Sequence, residues 1–60
     1  MIETIRQFSD ERLIDEIKLK EYALEVIEEM GYTKEQIEQL TNELLDFLKI
    51  LYREKKRRRL

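Results

Sequence analysis

Apolar residues in the second half of the chain recur with the period of a helix. Ile37, Leu40, Leu44, Phe47 and Leu51 are separated by three, four, three and four positions, a heptad seam. Leu45, Leu48 and Tyr52 form a second stripe beside it, so the apolar arc spans roughly 160° of the helical wheel. The first half repeats this more loosely. Leu13, Ile17, Leu24 and Ile27 fall on one stripe, and Leu19, Ala23, Val26 and Met30 on another. Between the halves lies "EEMGYTKEQIEQL", residues 28–40. Gly31 is the only glycine, placed where a helix ends in the left-handed region that glycine enters at little cost. Thr33 then suits an N-cap. Gln36, three positions on, completes a capping box, and Tyr32 and Ile37 have the spacing of a hydrophobic staple. Stop, turn and restart occupy three residues, and so short a link predicts two antiparallel helices.

The first helix is expected over about residues 10–30, some 31 Å at the helical rise. Ser9 caps it, and Asp10 and Glu11 sit in its first turn, where the helix dipole favours negative charge. The turn takes residues 31–33 and the second helix about 34–57, with a basic end over 53–60. Residues 2–8, "IETIRQF", either form a separate helical turn or extend the first helix through Ser9. Two helices packed together cover one apolar stripe each, so a second stripe on both needs another surface. A homodimer of two hairpins, closing into a four-helix bundle, meets that need. Residues 2–8 folded back as a third helix would be too short to cover both stripes. The expected fold is therefore all-α: residues 1–60 form one antiparallel helical-hairpin domain that pairs into a four-helix-bundle homodimer. Its partner or dimer face is Ile37, Leu40, Leu44, Leu45, Phe47, Leu48, Leu51 and Tyr52, with Leu24 and Ile27 from the first helix.

Composition narrows the chemistry. Sixty residues bury only about 60% of their unfolded surface, a marginal core. The chain has neither Cys nor His, which removes disulfides, thiol chemistry, the usual zinc ligands and the usual general base near neutral pH. No cofactor and no metal site is expected. The apolar fraction is 42% and the charged fraction 43%, with no proline, as long amphipathic helices require. No apolar run reaches membrane-spanning length and no signal peptide is recognisable, so the expectation is a cytoplasmic chain without membrane contact.

The net charge of −2 hides an asymmetry. Residues 1–52 carry six basic and 13 acidic groups, a balance of −7, while residues 53–60, "REKKRRRL", carry six basic and one acidic, +5. A uniformly basic nucleic-acid binder is excluded, and only the tail could contact an anion. In an antiparallel pair the tail lies beside the start of the first helix, so Lys55, Lys56 and Arg57 would approach Asp10, Glu11, Asp15 and Glu16. Cations also suit a helix C-terminus, by about 0.3–1 kcal/mol each when exposed. That reading needs no ligand. The sharper one is an anion-binding arm of Arg57, Arg58 and Arg59, with Arg58 and Arg59 as its leading contacts.

Acidic pairs at helical spacing (Glu21/Glu25, Glu25/Glu28/Glu29, Glu35/Glu38) could hold a hard cation, but without His or a glycine-rich loop they read as a solvated face. Tyr22, Tyr32 and Tyr52 read as packing residues at the core edge.

The stretch "GYTKEQIEQLTNELLDFL", Gly31 to Leu48, resembles the second half of Spo0E-like regulators. These are small helical hairpins that dephosphorylate the aspartyl phosphate of a sporulation response regulator. Gly31, Tyr32, Thr33, Ile37, Leu40, Thr41, Asn42, Glu43, Leu44, Phe47 and Leu48 fall without gaps on identical or similar residue types, and "LIDEIKLKE" is compatible with the first helix. The signature Asp on which the family's phosphatase activity depends aligns with Leu45. Asp46 is adjacent but about 100° around the helix. The resemblance thus implies a retained docking surface without catalysis; if activity survives, Glu43 and Asp46 are its candidates. "FSDERLI" and "MGYTKEQIEQLTNEL" also resemble Sda-type histidine-kinase inhibitors, again helical hairpins. The expected function is a non-catalytic, regulatory protein-interaction module that binds a histidine kinase or response regulator through an apolar helix face. The alternatives are a diverged aspartyl-phosphate phosphatase, a Rop-like RNA-binding hairpin dimer using the basic tail, and a designed helical bundle.

Overall fold

The computed structural model describes residues 2–60, with side chains from residue 4 onward; Met1 lies outside the described residues. The described chain is all-α, without strands. α1 (Ile2–Arg6) is followed by α2 (Asp10–Val26), a 3₁₀ turn (Ile27–Met30) and α3 (Lys34–Arg57). Residues 2–8 therefore form a separate short helix and its exit, not an extension of α2. The break comes at Ser9, whose extended backbone lets its side chain accept a hydrogen bond from the Arg12 amide at 3.1 Å.

The last expected turn of the first helix is tightened to 3₁₀ geometry at Ile27–Met30. Such a turn bonds carbonyls that an α-helical end would leave orphaned. Gly31 then turns the chain with φ of 79°, and nothing lies within 4 Å of where a Cβ would stand. It is the backbone conformation, not crowding, that favours glycine there. Thr33 and Gln36 close the capping box in both directions, at 3.2 and 3.0 Å.

α2 and α3 lie side by side and run in opposite senses, since Tyr52 reaches Glu21 and Arg58 reaches Asp10. The molecule measures 37 × 17 × 15 Å. Its core is Ile5, Leu13, Ile17, Leu48 and Leu51, with Phe8, Leu24, Phe47 and Ile50 packed against it. These residues gather at the end away from the turn, where three helices meet. Toward the turn only α2 and α3 remain, and of the apolar residues there Ile27 alone is buried while Ile37, Leu40 and Leu44 are half-buried.

Two features depart from the expected stripes. Leu48, assigned to the spare stripe, is 3% exposed and belongs to the core. Ile50, on neither stripe, packs against that core because α1 comes back over it. A five-residue helix has too few internal bonds to persist alone. Ile5, 2% exposed, anchors it to α3.

Candidate functional site

Continuing the heptad seam of α3 past Leu51 by three and then four positions reaches Glu54 and Arg58. Their side chains accordingly point at the body of the molecule. Glu54 is buried at 6% exposure, and Arg58 keeps only 12% of its side chain exposed. Arg58 donates to Glu54 Oε2 at 2.6 Å, to Asp10 Oδ1 at 3.0 Å, and to the carbonyls of Ile5 and Arg6 at 3.3 and 3.1 Å. Those carbonyls end α1, and that of Ile5 also accepts from the Phe8 amide at 3.1 Å. One guanidinium therefore ties α1, α2 and α3 together. Arg57 adds two further bonds to Glu54, at 3.0 and 2.6 Å. These donors, Arg57 first and then Arg58, hold the Glu54 carboxyl down at about 2. Both guanidiniums are raised in turn, chiefly by their bonds to Glu54.

This corrects the reading of the tail. Arg58, expected as a leading anion contact, is an internal tether. Arg57 is paired with Glu54, and of the three only Arg59 is exposed without an ion-pair partner among the described residues. The acid met on α2 is Asp10, as the antiparallel pairing implied, but the cation that meets it is Arg58, one position beyond the expected Lys55, Lys56 and Arg57. Arg59 adopts φ of 61°. Leu60 N–H donates to the Lys55 carbonyl and Arg59 N–H to that of Lys56, both near 3 Å. This is a Schellman ending built without glycine.

Two apolar grooves flank the α2–α3 seam. The first, about 600 Å³, is lined by Leu24, Leu45, Leu48 and Tyr52, with Glu21, Asn42, Asp46 and Lys49 around it. Leu45 and Tyr52 are 44% and 42% exposed. The Tyr52 hydroxyl donates to Glu21 Oε2 at 2.9 Å, which bridges the two helices and raises the phenol above its ordinary value. The second groove, about 320 Å³, is on the other side near the turn, lined by Lys20, Ala23, Ile27, Met30, Tyr32, Leu40, Glu43, Leu44 and Phe47. Lys20 lies 5.1 Å over the Phe47 ring and pairs with Glu16 at 3.2 Å. Beyond this groove, toward the chain ends, α1 occupies the same flank, so only the first groove faces an unobstructed side.

The expected face is thus divided among three places. Leu48 and Leu51 are interior. Leu24, Leu45 and Tyr52 open on the first groove. Ile27, Leu40, Leu44 and Phe47 line the second, while Ile37 is half-buried beside the turn. Glu43 and Asp46 are separated as well: Asp46 lines the first groove, and Glu43 lines the second and bonds Gln39 at 3.4 Å. The two are not brought together as an acid–base pair. Among the described residues no group of His, Cys, Asp and Glu could hold a metal ion, and no helix is long and apolar enough to cross a membrane. Glu54 was not among the expected site residues, and continuation of the heptad was its signal. No family model, curated protein or solved structure matches the chain.

Proposed function

We propose that the chain is a non-catalytic interaction module, an antiparallel helical hairpin that pairs with a second copy into a four-helix bundle and docks on the helices of a signalling protein. The observation that carries this is the exposure of large apolar side chains around two grooves: Leu45 and Tyr52 on one side, Met30 and Tyr32 on the other. Scale supports it. A compact monomer of 7.5 kDa presents about 4,200 Å² of accessible surface, whereas this chain presents 5043 Å². The excess is what an elongated helix pair exposes without a partner.

A histidine kinase or response regulator as partner is supported by the resemblance of Gly31–Leu48 to Spo0E-like regulators and of Phe8–Ile14 to Sda-type inhibitors. Leu45, where the first family carries its signature Asp, favours binding without hydrolysis. Engagement of Arg57 and Arg58 by Glu54 weighs against RNA as the partner, because it removes two of the tail's cations.

Sedimentation at micromolar concentration should show a species of twice 7.5 kDa. A persistent monomer would discard the bundle. Mixing the protein with a phosphorylated receiver domain should leave the rate of phosphate release unchanged, and any acceleration would restore the enzyme reading.

A further inference from the structure

The exposed flank of α3 has one feature that a general docking face does not need: its charges complement a copy of itself turned end for end. The turn end of the molecule carries Glu25, Glu28, Glu29, Glu35 and Glu38 against Lys34. The opposite end carries Arg53, Lys55, Lys56 and Arg59 beyond the neutralised cluster of Glu54 and Asp10 with Arg57 and Arg58. Charge is thus polarised along the 37 Å axis.

Two face-to-face dimers with a two-fold axis can be built on the groove of Leu24, Leu45, Leu48 and Tyr52. An axis parallel to the helices stacks turn on turn and sets five glutamates against five. An axis across the helices, in the plane between the copies, puts the turns at opposite ends and α3 antiparallel to α3. Each acidic end then lies over the other copy's basic end. The groove itself agrees with the second arrangement. An axis passing between Phe47 and Leu48 sets Lys49 opposite Asp46 of the other copy, twice. Lys20 over Phe47 shows that residues 19–20 of α2 are level with 47–48. The same axis therefore sets Lys18 level with Glu21 of the other copy.

We infer that the Leu24–Leu45–Leu48–Tyr52 groove is the self-association surface, and that it pairs two copies with their turns at opposite ends. This assignment rests on the dimer proposed above and adds its face and its symmetry. A face of 37 by 17 Å gives roughly 600 Å² per copy, about 1,200 Å² in all, the lower bound of a stable interface. The groove of Ile27, Leu40, Leu44 and Phe47 is left free for a different partner.

Because the chain has no cysteine, one label per copy can be placed at will. A spin label on Lys34→Cys should report an intermolecular distance of about 40 Å, given 1.5 Å of rise per residue on either side of the axis. A distance within about 20 Å would place the turns together and overturn the symmetry. Leu45→Lys should sediment at 7.5 kDa with unchanged helical circular dichroism, since Leu45 is exposed in the single chain. A dimer that survives this change would move self-association to another face while leaving the dimer itself intact. A wild-type monomer at micromolar concentration would instead remove both the dimer and this assignment.

Discussion

Leu51 and Leu13 are fully shielded, and each sits where helices from three parts of the chain converge. Truncation there removes buried methyl groups and leaves a cavity that neighbouring helices cannot close. Leu51→Ala should cost about 2–5 kcal/mol in unfolding free energy, measured by urea denaturation at fixed protein concentration. Leu44→Ala, at a half-buried seam position near the turn, should cost clearly less. Arg59 presents the opposite opportunity. Its φ of 61° lies in the left-handed region, which carries a penalty of roughly 1–2 kcal/mol for a residue with a Cβ. Arg59→Gly should stabilise the chain by about 0.5–1 kcal/mol, and Arg59→Ala should show no such gain. Equal melting temperatures for the glycine and alanine variants would mean that the left-handed turn is not populated in solution.

At the level of elements, α1 is held by contacts that its own sequence does not supply. Ile5 buries into the core, while Arg58, 52 and 53 positions later in the chain, caps the carbonyls of Arg6 and Ile5. The tether depends on an ionised Glu54. Its carboxyl sits near 2 in the folded chain against an ordinary value of 4.5. Between those values the unfolded chain binds the proton and the folded chain does not. The stabilisation is therefore complete above pH 4.5 and is lost as pH falls toward 2. The melting temperature of the wild type should drop more steeply over that window than that of Glu54→Gln, whose other carboxylates are the same. Parallel curves would show that Glu54 is not the titrating group. Arg58→Ala should accelerate hydrogen exchange at the amides of Gln7 and Phe8, which bond back to Thr4 and Ile5 at the end of α1.

Across the whole molecule, packing is graded from one end to the other. Three helices enclose Ile5, Leu13, Ile17, Leu48 and Leu51, whereas two helices enclose Ile27 near the turn. Local opening follows buried apolar contact. Amides around Leu48 and Leu51 should exchange most slowly, and those around Ile37 and Leu40 sooner, when followed residue by residue. The reverse gradient in the isolated chain would contradict this distribution of the core. The dimer proposed above, if it forms through the flank of Leu45 and Tyr52, would slow exchange along the middle of α3 as protein concentration rises.

Local chemistry was legible directly. Ser9, Gly31, Thr33 and Gln36 act through bonds or dihedrals spanning at most four residues, and each takes the role its spacing implied. The heptad seam also continued as periodicity requires, through Glu54 to Arg58, although two charged residues in place of leucines concealed it. What only the tertiary structure decided is which stripe is covered. Leu48 and Leu45 share one stripe, about 60° apart on a helical wheel, yet one is interior and the other half-exposed, because α2 leans toward Leu48 and α1 folds over the opposite flank. Periodicity describes a face. Coverage depends on where another segment returns, and that is settled by contacts between residues some fifty positions apart, such as Arg58 with Ile5, which carry no local signature.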